Sequence, residues 1–228
     1  MTGVDRFIQR GTASTLLSAL LLTGCVGTDV VMELLPGDSD GTAEDETNDN
    51  DNRHTDDTES VQTDEDDATD CGDVVWEDNV FIDYAPELKA LEGVTHIQGC
   101  LQIQGIDESG LDYLSALKGL RCVDRYVAVN DVEDMKNLKV FSNLHTVGGN
   151  LFIQNNESLS DLTGIDNIRN LGGSALYITD NDALPTCTAR DLYTEMSDLG
   201  WDGDPCIVDN YTDDCDSLSR GCSDEYRW

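Results

Sequence analysis

From residue 88 onward, apolar residues recur at every third position in four blocks. The blocks are Leu88-Leu91-Val94-Ile97, Leu111-Leu114-Leu117-Leu120-Val123, Met135-Leu138-Phe141-Leu144-Val147 and Leu159-Leu162-Ile165-Ile168-Leu171. A spacing of three fits neither the period of an α-helix nor that of a β-strand. It indicates tight turns or 3₁₀-like segments that keep one edge turned inward.

A short alternating triplet follows each block. The triplets are Leu101-Gln102-Ile103, Val127-Ala128-Val129, Leu151-Phe152-Ile153 and Leu176-Tyr177-Ile178, with an opening copy at Val80-Phe81-Ile82. Their last residues follow one another at steps of 21, 26, 24 and 25 residues. The alternation predicts short strands with two side chains inward and one outward. A repeat near 25 residues predicts a solenoid whose strands stack in parallel along one face.

The outward position of each triplet defines a candidate ligand face. The outward residues are Phe81, Gln102, Ala128, Phe152 and Tyr177, flanked by Gln104, Gln154 and Thr179. Since parallel strands lie about 4.8 Å apart, Phe152 and Tyr177 would form an aromatic ladder on the solvent side. Such a row could contact a sugar ring or a partner protein. Alternatively, and in our preferred interpretation, the rings stack to stabilise the sheet or the C-terminal tail packs over them.

The two best-matched repeats resemble a known family. They read LHTVGGNLFIQNNESLSDLTGIDNI and LGGSALYITDNDALPTC, and they are similar to the receptor L domain, a module related to leucine-rich repeats. The resemblance covers roughly 71–215 and leaves a tail at 216–228. It implies an α/β-type solenoid, a right-handed parallel β-helix with one strand per coil and capped ends. It also implies a protein or carbohydrate partner and no catalytic residues.

The ends of such a repeat expose apolar columns, and the sequence predicts a cover for each end. A helix is expected after Thr188, which resembles a capping box with Asp191, and Gly200 would end it. Leu192, Met196 and Leu199 would form the inward face of that helix. Trp201 and the pair Ile207-Val208 resemble one last degenerate strand, and residues 71–76 would begin the opposite cover.

The N-terminus is typical of an export signal. Two arginines precede the short apolar run TASTLLSALLL, which is too short to span a bilayer as a mature helix. Leu22-Thr23-Gly24-Cys25 resembles the lipobox of bacterial lipoproteins. The resemblance implies cleavage of residues 1–24, lipid on Cys25 and attachment to a membrane, and Val26 favours the outer membrane or cell surface. A plain secretory signal is the alternative.

Acidic residues dominate the segment that follows. The chain has 13 Lys+Arg against 47 Asp+Glu, a net charge of −34, and residues 38–70 alone carry fifteen acidic groups and one arginine. This segment lacks any apolar period, so residues 25–70 are expected to be a disordered tether behind the lipidated cysteine. A surface this acidic repels phosphate backbones, which excludes nucleic acid as a partner.

Seven cysteines follow Cys25, and export would place them where disulfides persist. The candidate disulfide cysteines are Cys71, Cys100, Cys187, Cys206, Cys215 and Cys222. The preferred set is Cys71–Cys100, Cys187 with Cys206 or Cys215, and Cys222 with whichever remains, although spacing alone does not fix connectivity. Cys122 would then be a free, partly buried thiol. A zinc site is the rival interpretation, but no C-x-x-C pair supports it.

No motif indicates catalysis, a cofactor or a metal. The histidines are His54, His96 and His145, and none lies in a G-x-S-x-G or H-E-x-x-H context. We therefore expect a non-enzymatic, lipid-anchored envelope protein whose solenoid serves recognition or adhesion. A passive spacer lipoprotein without a specific ligand is the first alternative, and a lipoprotein enzyme is the second.

Overall fold

A computed structural model describes residues 70–223 of the chain. The predicted signal segment, the lipidation of Cys25 and the tether up to residue 69 lie outside the described residues, as does the end of the tail from residue 224. Among residues 70–223, no helix combines the length and the apolar character that are needed to cross a bilayer.

The described chain contains eleven strands and one α-helix. They are β1 Val75–Trp76, β2 Val80–Ile82, β3 His96–Ile97, β4 Leu101–Gln104, β5 Cys122–Val123, β6 Val127–Asn130, β7 Thr146–Val147, β8 Leu151–Gln154, β9 Asn170–Leu171, β10 Ala175–Thr179, α1 Thr186–Asp198 and β11 Asp204–Val208. Three 3₁₀ helices, at Ala85–Leu91, Glu108–Gly119 and Lys139–Phe141, lie in the blocks of period three. The spacing of three thus corresponds to 3₁₀ geometry in three of the four blocks.

The five predicted triplets and β11 form one six-stranded sheet, the large sheet, in the order β11-β10-β8-β6-β4-β2. Every pairing is parallel and in register, so Leu101 lies beside Val127, Val127 beside Leu151, and Leu151 beside Leu176. These side chains are buried in a single apolar core. The parallel stacking of repeats is confirmed, whereas the handedness of the coil stays a prediction.

The prediction of one strand per coil was wrong, because each of the first five coils also contributes to a second sheet. This small sheet has the order β1-β3-β5-β7-β9, and each of its strands is two residues long. In each of the small-sheet strands β3, β5, β7 and β9, one residue is the last apolar residue of a block, such as Ile97 in β3 or Val123 in β5. Two residues are too few for an alternating pattern to be recognised, so the sequence analysis placed these short strands within the turns.

The C-terminal cover is a helix that begins earlier than predicted. Pro185 precedes α1 and supplies no side-chain cap, and Thr188 lies inside the helix, so the capping box with Asp191 was wrong. Instead, the Asp213 carboxylate accepts a hydrogen bond from the Cys187 backbone N–H at 2.8 Å. Leu192 and Met196 are buried as predicted, but Leu199 is 53% exposed, so its predicted inward position was wrong. At the other end, Gly200 adopts a positive φ of 97°, which allows the chain to turn out of the helix.

The last strand and the beginning of the tail continue the large sheet. Strand β11 pairs with β10 in parallel, which confirms the predicted strand at Ile207 and Val208. The predicted tail, 216–228, is described as far as Ser223, and its Leu218 forms an antiparallel bridge with Ile207.

Three disulfides join six of the seven described cysteines: Cys71–Cys122, Cys187–Cys215 and Cys206–Cys222. The second and third agree with the preferred set. The predicted Cys71–Cys100 pair and the free thiol at Cys122 were wrong, and no described cysteine is a free thiol. Val74 accepts hydrogen bonds from the backbone of Thr95 and His96, and His96 is the register partner of Cys122. The entry segment, residues 70–74, therefore lies beside β3 and brings Cys71 next to Cys122.

Candidate ligand-binding surface

The outward face of the large sheet is divided into an open part and a covered part. Phe81 on β2 is 39% exposed, Gln102 on β4 is half-buried, and Gln104 is exposed. The remaining predicted face residues are all buried: Ala128, Phe152, Gln154, Tyr177 and Thr179. The expectation that the aromatic ladder lies on the solvent side was therefore wrong for Phe152 and Tyr177.

Aromatic rings and the C-terminal segment cover the second part. The Phe152 ring centroid lies 5.9 Å from Tyr126 in an edge-on arrangement and 5.6 Å from Tyr177. The Tyr177 hydroxyl donates to the Gly221 carbonyl and accepts from the Ser223 backbone N–H at 2.6 Å. Alternation correctly placed these side chains on one face, and the preferred interpretation, in which the rings stack and the C-terminal tail packs over them, agrees with these contacts.

Polar side chains are buried beside these rings. The Gln154 amide donates to the Thr179 hydroxyl at 3.2 Å. Neither side-chain polar atom of Asn130, the register partner of Gln154, has a hydrogen-bond partner among the described residues. The covered part therefore belongs to the protein interior rather than to a surface that a ligand can reach.

Hydrogen bonds fix the amides of the open part. The Tyr126 hydroxyl donates to Gln102 Oε1 at 3.0 Å, and Gln102 Nε2 donates to Gln104 Oε1 at 3.0 Å. Burial raises the pKa of the Tyr126 phenol to about 12, so this group remains a proton donor at physiological pH. Gln104 is exposed and ends this chain of hydrogen bonds.

A cavity of about 280 Å³ lies beyond the carboxyl ends of β2 and β4. Tyr84, which is 62% exposed, and Tyr113 line it together with the carboxylates Asp83 and Asp107. The Lys89 ammonium lies 5.1 Å from the centroid of the Tyr113 ring, a cation–π contact that holds this ring in place. We call Phe81, Tyr84, Gln102, Gln104 and Tyr113 the open surface.

The two described histidines make their contacts along the small sheet. His96 Nε2 lies 2.7 Å from Asp124, and His145 lies 3.1 Å from the Thr146 hydroxyl. Neither histidine lines the cavity beside the open surface. The one cluster of potential metal ligands found among residues 70–223 is Cys187, Asp213 and Cys215, and its two sulfurs are joined in a disulfide. Its sulfurs are therefore not available as thiolate ligands.

The described chain is a stack of parallel strands connected partly by 3₁₀ helices, with an α-helix at one end and one partly open face. Comparison with family models gives a match over residues 93–196, a little under half of the chain. The matched family is the receptor L domain. It is a family of ligand-binding, non-enzymatic domains. No curated protein matches the chain.

The structure also shows an asparagine ladder that the sequence analysis missed: Asn156 and Asn181 are fully buried and Asn210 is half-buried. The Asn156 side chain accepts from Val132 N–H at 3.0 Å and donates to the Val129 carbonyl at 3.0 Å. Asn181 and Asn210 repeat the arrangement by accepting from the N–H of the preceding ladder residue. Each asparagine follows the last apolar residue of its triplet, or Ile207 of β11, by three positions, and this periodicity could have identified the ladder.

Proposed function

We propose that this protein is a recognition protein of the cell envelope and that its open surface binds a carbohydrate. The observation that carries the proposal is the exposure of two aromatic rings at the end of β2, Phe81 and Tyr84, with Phe81 in register with Gln102, whose amide is hydrogen-bonded to Gln104. Aromatic faces stack against the apolar faces of sugar rings, and amides hydrogen-bond to hydroxyl groups. Exposed aromatic residues bordered by polar groups are typical of interaction sites.

The scaffold supports this function because it holds the open surface in place. Phe81 and Gln102 are register partners on neighbouring strands, and the side chains below them belong to the continuous core. A site on paired strands is positioned more precisely than a site on a loop, and little conformational entropy is lost when it binds a ligand. We accordingly propose no catalytic step, cofactor or metal for this surface.

We further propose that the protein is attached to a bacterial outer membrane by lipid on Cys25 and projects outward on the acidic tether. The support is the signal-like N-terminus and the lipobox resemblance. Two or more acyl chains give stable anchoring, whereas one chain gives only marginal binding. Intact mass of the membrane-extracted protein should show diacylglycerol on Cys25. Cys25→Ser should abolish the modification and release the protein from membranes, and an unmodified Cys25 would refute the anchor.

Binding to a glycan array tests the proposed recognition. The full chain should bind a restricted set of glycans, and Phe81→Ser with Tyr84→Ser should weaken that binding about tenfold or more. Tyr211→Ser is the matched control, because Tyr211 is an equally exposed tyrosine, at 57%, outside the open surface. Binding that both variants reduce equally would refute the assignment. No binding to any glycan would favour a protein ligand or the passive spacer.

A further inference from the structure

The cavity beside the open surface is lined by two segments that leave the large sheet at neighbouring strands. Asp83 and Tyr84 follow β2 directly, and Ile106 and Asp107 follow β4, the parallel partner of β2. Because parallel strands point their carboxyl ends toward the same edge of a sheet, both segments reach one place. Two carboxylates, of Asp83 and Asp107, therefore line a single cavity.

Close packing holds the two segments together. A Cβ added at Gly110 would lie 2.6 Å from side-chain atoms of Ala85 and Ile106, and both of these side chains are buried. All three residues line the cavity, so part of its wall is made of packed groups. The volume of about 280 Å³ lies just below the ~300–1,000 Å³ that is typical of sites for drug-sized ligands, so it suits one sugar ring rather than a longer chain.

The Asp107 carboxylate is held in a fixed position. Its Oδ1 accepts from the Ser109 hydroxyl at 2.6 Å and from the Gly110 backbone N–H at 3.1 Å. Both bonds from these described residues end on the same oxygen, which leaves Oδ2 to accept a hydrogen bond from a ligand. A hydrogen bond from an ammonium group to a carboxylate is roughly twice as strong as one between neutral groups. An ammonium group is therefore a well-matched donor for this position.

The charge around the cavity has one sign. The two charged side chains that line it, Asp83 and Asp107, are both acidic. Residues 83–92 and 105–113, which flank the cavity, contain one basic residue, Lys89, and six acidic residues: Asp83, Glu87, Glu92, Asp107, Glu108 and Asp112. Lys89 contacts the Tyr113 ring and does not itself line the cavity. The cavity therefore attracts a cation and repels an anion.

Aromatic rings strengthen this preference. Tyr84, which is 62% exposed, and the half-buried Tyr113 line the cavity beside the carboxylates. The face of a tyrosine ring attracts an ammonium group within about 6 Å of its centre, and the same face stacks on the apolar side of a sugar ring. We propose that the cavity binds an amino sugar whose amine is free and protonated, with Asp83 and Asp107 accepting from the ammonium group. This inference rests on the proposed carbohydrate function and names the class of sugar.

Two oligosaccharides that differ only at nitrogen test the proposal. One is a glucosamine tetramer with free amines, and the other is the same tetramer with every amine acetylated and therefore neutral. Isothermal titration calorimetry with the full chain, at a pH that keeps the amines protonated, should show about tenfold or more tighter binding of the free-amine form. Equal affinity for the two forms, or binding of neither when another glycan on the array binds, would overturn the amine assignment and leave the carbohydrate function standing. A blank array would overturn both.

A matched pair of double variants separates the cavity from the general negative charge of the chain. Asp83→Asn with Asp107→Asn removes both carboxylates, and asparagine at position 107 retains an oxygen that can cap the 3₁₀ helix. The preference for the free-amine form should then fall to about twofold or less. Asp182→Asn with Asp202→Asn is the control, because both side chains are exposed and neither lines the cavity. The control should keep the preference, and an equal loss in both double variants would overturn the proposal.

Discussion

Replacement of Asn156 by alanine tests whether the coils are joined by buried side-chain hydrogen bonds. The Asn156 side chain is fully buried and bonds two backbone groups of the preceding repeat, Val132 N–H and the Val129 carbonyl. Both valines are themselves buried. The variant therefore leaves one donor and one acceptor in a place that water does not readily enter.

The magnitude follows from these two groups. A buried polar group that loses its partner costs about 1–3 kcal/mol. Two such groups predict a loss of about 2–6 kcal/mol in the free energy of unfolding, with the lower end if water enters the space left by the amide. This is a large fraction of the ~5–15 kcal/mol that is typical of a domain.

Urea denaturation of the disulfide-intact protein, followed by circular dichroism, measures the effect. Asn167→Ala is the matched control, because the Asn167 amide also bonds across coils, to the Ser142 carbonyl at 2.7 Å, but is exposed. Water can replace that bond, so the control should lose less than about 1.5 kcal/mol. Asn156→Asp keeps the acceptor for Val132 N–H and loses the donor, and it should also be destabilised. If Asn156→Ala is no less stable than Asn167→Ala, the ladder does not join the coils as described.

Three further predictions concern other parts of the fold. Because the pKa of Tyr126 is about 12 in the folded protein and about 10 when unfolded, its contribution to stability is complete below pH 10 and disappears as the pH rises through 12. The Tyr126→Phe variant should lose less free energy of unfolding than the unmodified protein between pH 10 and pH 12. An unchanged pH profile of stability would contradict the burial of the Tyr126 phenol. Joint replacement of Cys71 and Cys122 by serine should cost about 4 kcal/mol in urea denaturation, because the bridge spans 51 residues, and a loss under about 1 kcal/mol would refute its role. Gly164→Ala should lower thermal stability by about 2 kcal/mol or more, because Gly164 has φ +114° and an added Cβ would meet the Leu138 carbonyl; an unchanged midpoint would refute this.

The parallel stack could be predicted from the sequence because its cause is local. Alternation within Leu101–Ile103 or Leu151–Ile153 determines which side chains are inward, and the step between triplets determines which strands lie side by side. The small sheet was missed because two extended residues carry no alternation signal. The start of α1 was missed by three residues because the backbone N–H of Cys187 in its first turn is bonded by Asp213, a residue distant in sequence.

The candidate site was only partly predictable, because exposure depends on chain segments that pack from elsewhere. Phe81 and Phe152 occupy equivalent outward positions, yet Phe81 is exposed and Phe152 is covered by Tyr126 and neighbouring groups. The pairing of Cys71 likewise depends on the path of the entry segment along β3, which no spacing encodes. Tyr84, the most exposed aromatic of the open surface, lies outside the triplets and was not singled out.

The central claim is that successive repeats stack as parallel strands in one fixed register, and scalar couplings across hydrogen bonds measure this directly. In a deuterated, isotope-labelled sample, NMR should detect couplings from Leu101 N to the Tyr126 carbonyl carbon and from Val127 N to the Asn150 carbonyl carbon. Each of these bonds joins residues about one repeat apart. Couplings only between residues three or four apart, or strand pairs in another register, would contradict the stacked fold and the surfaces derived from it.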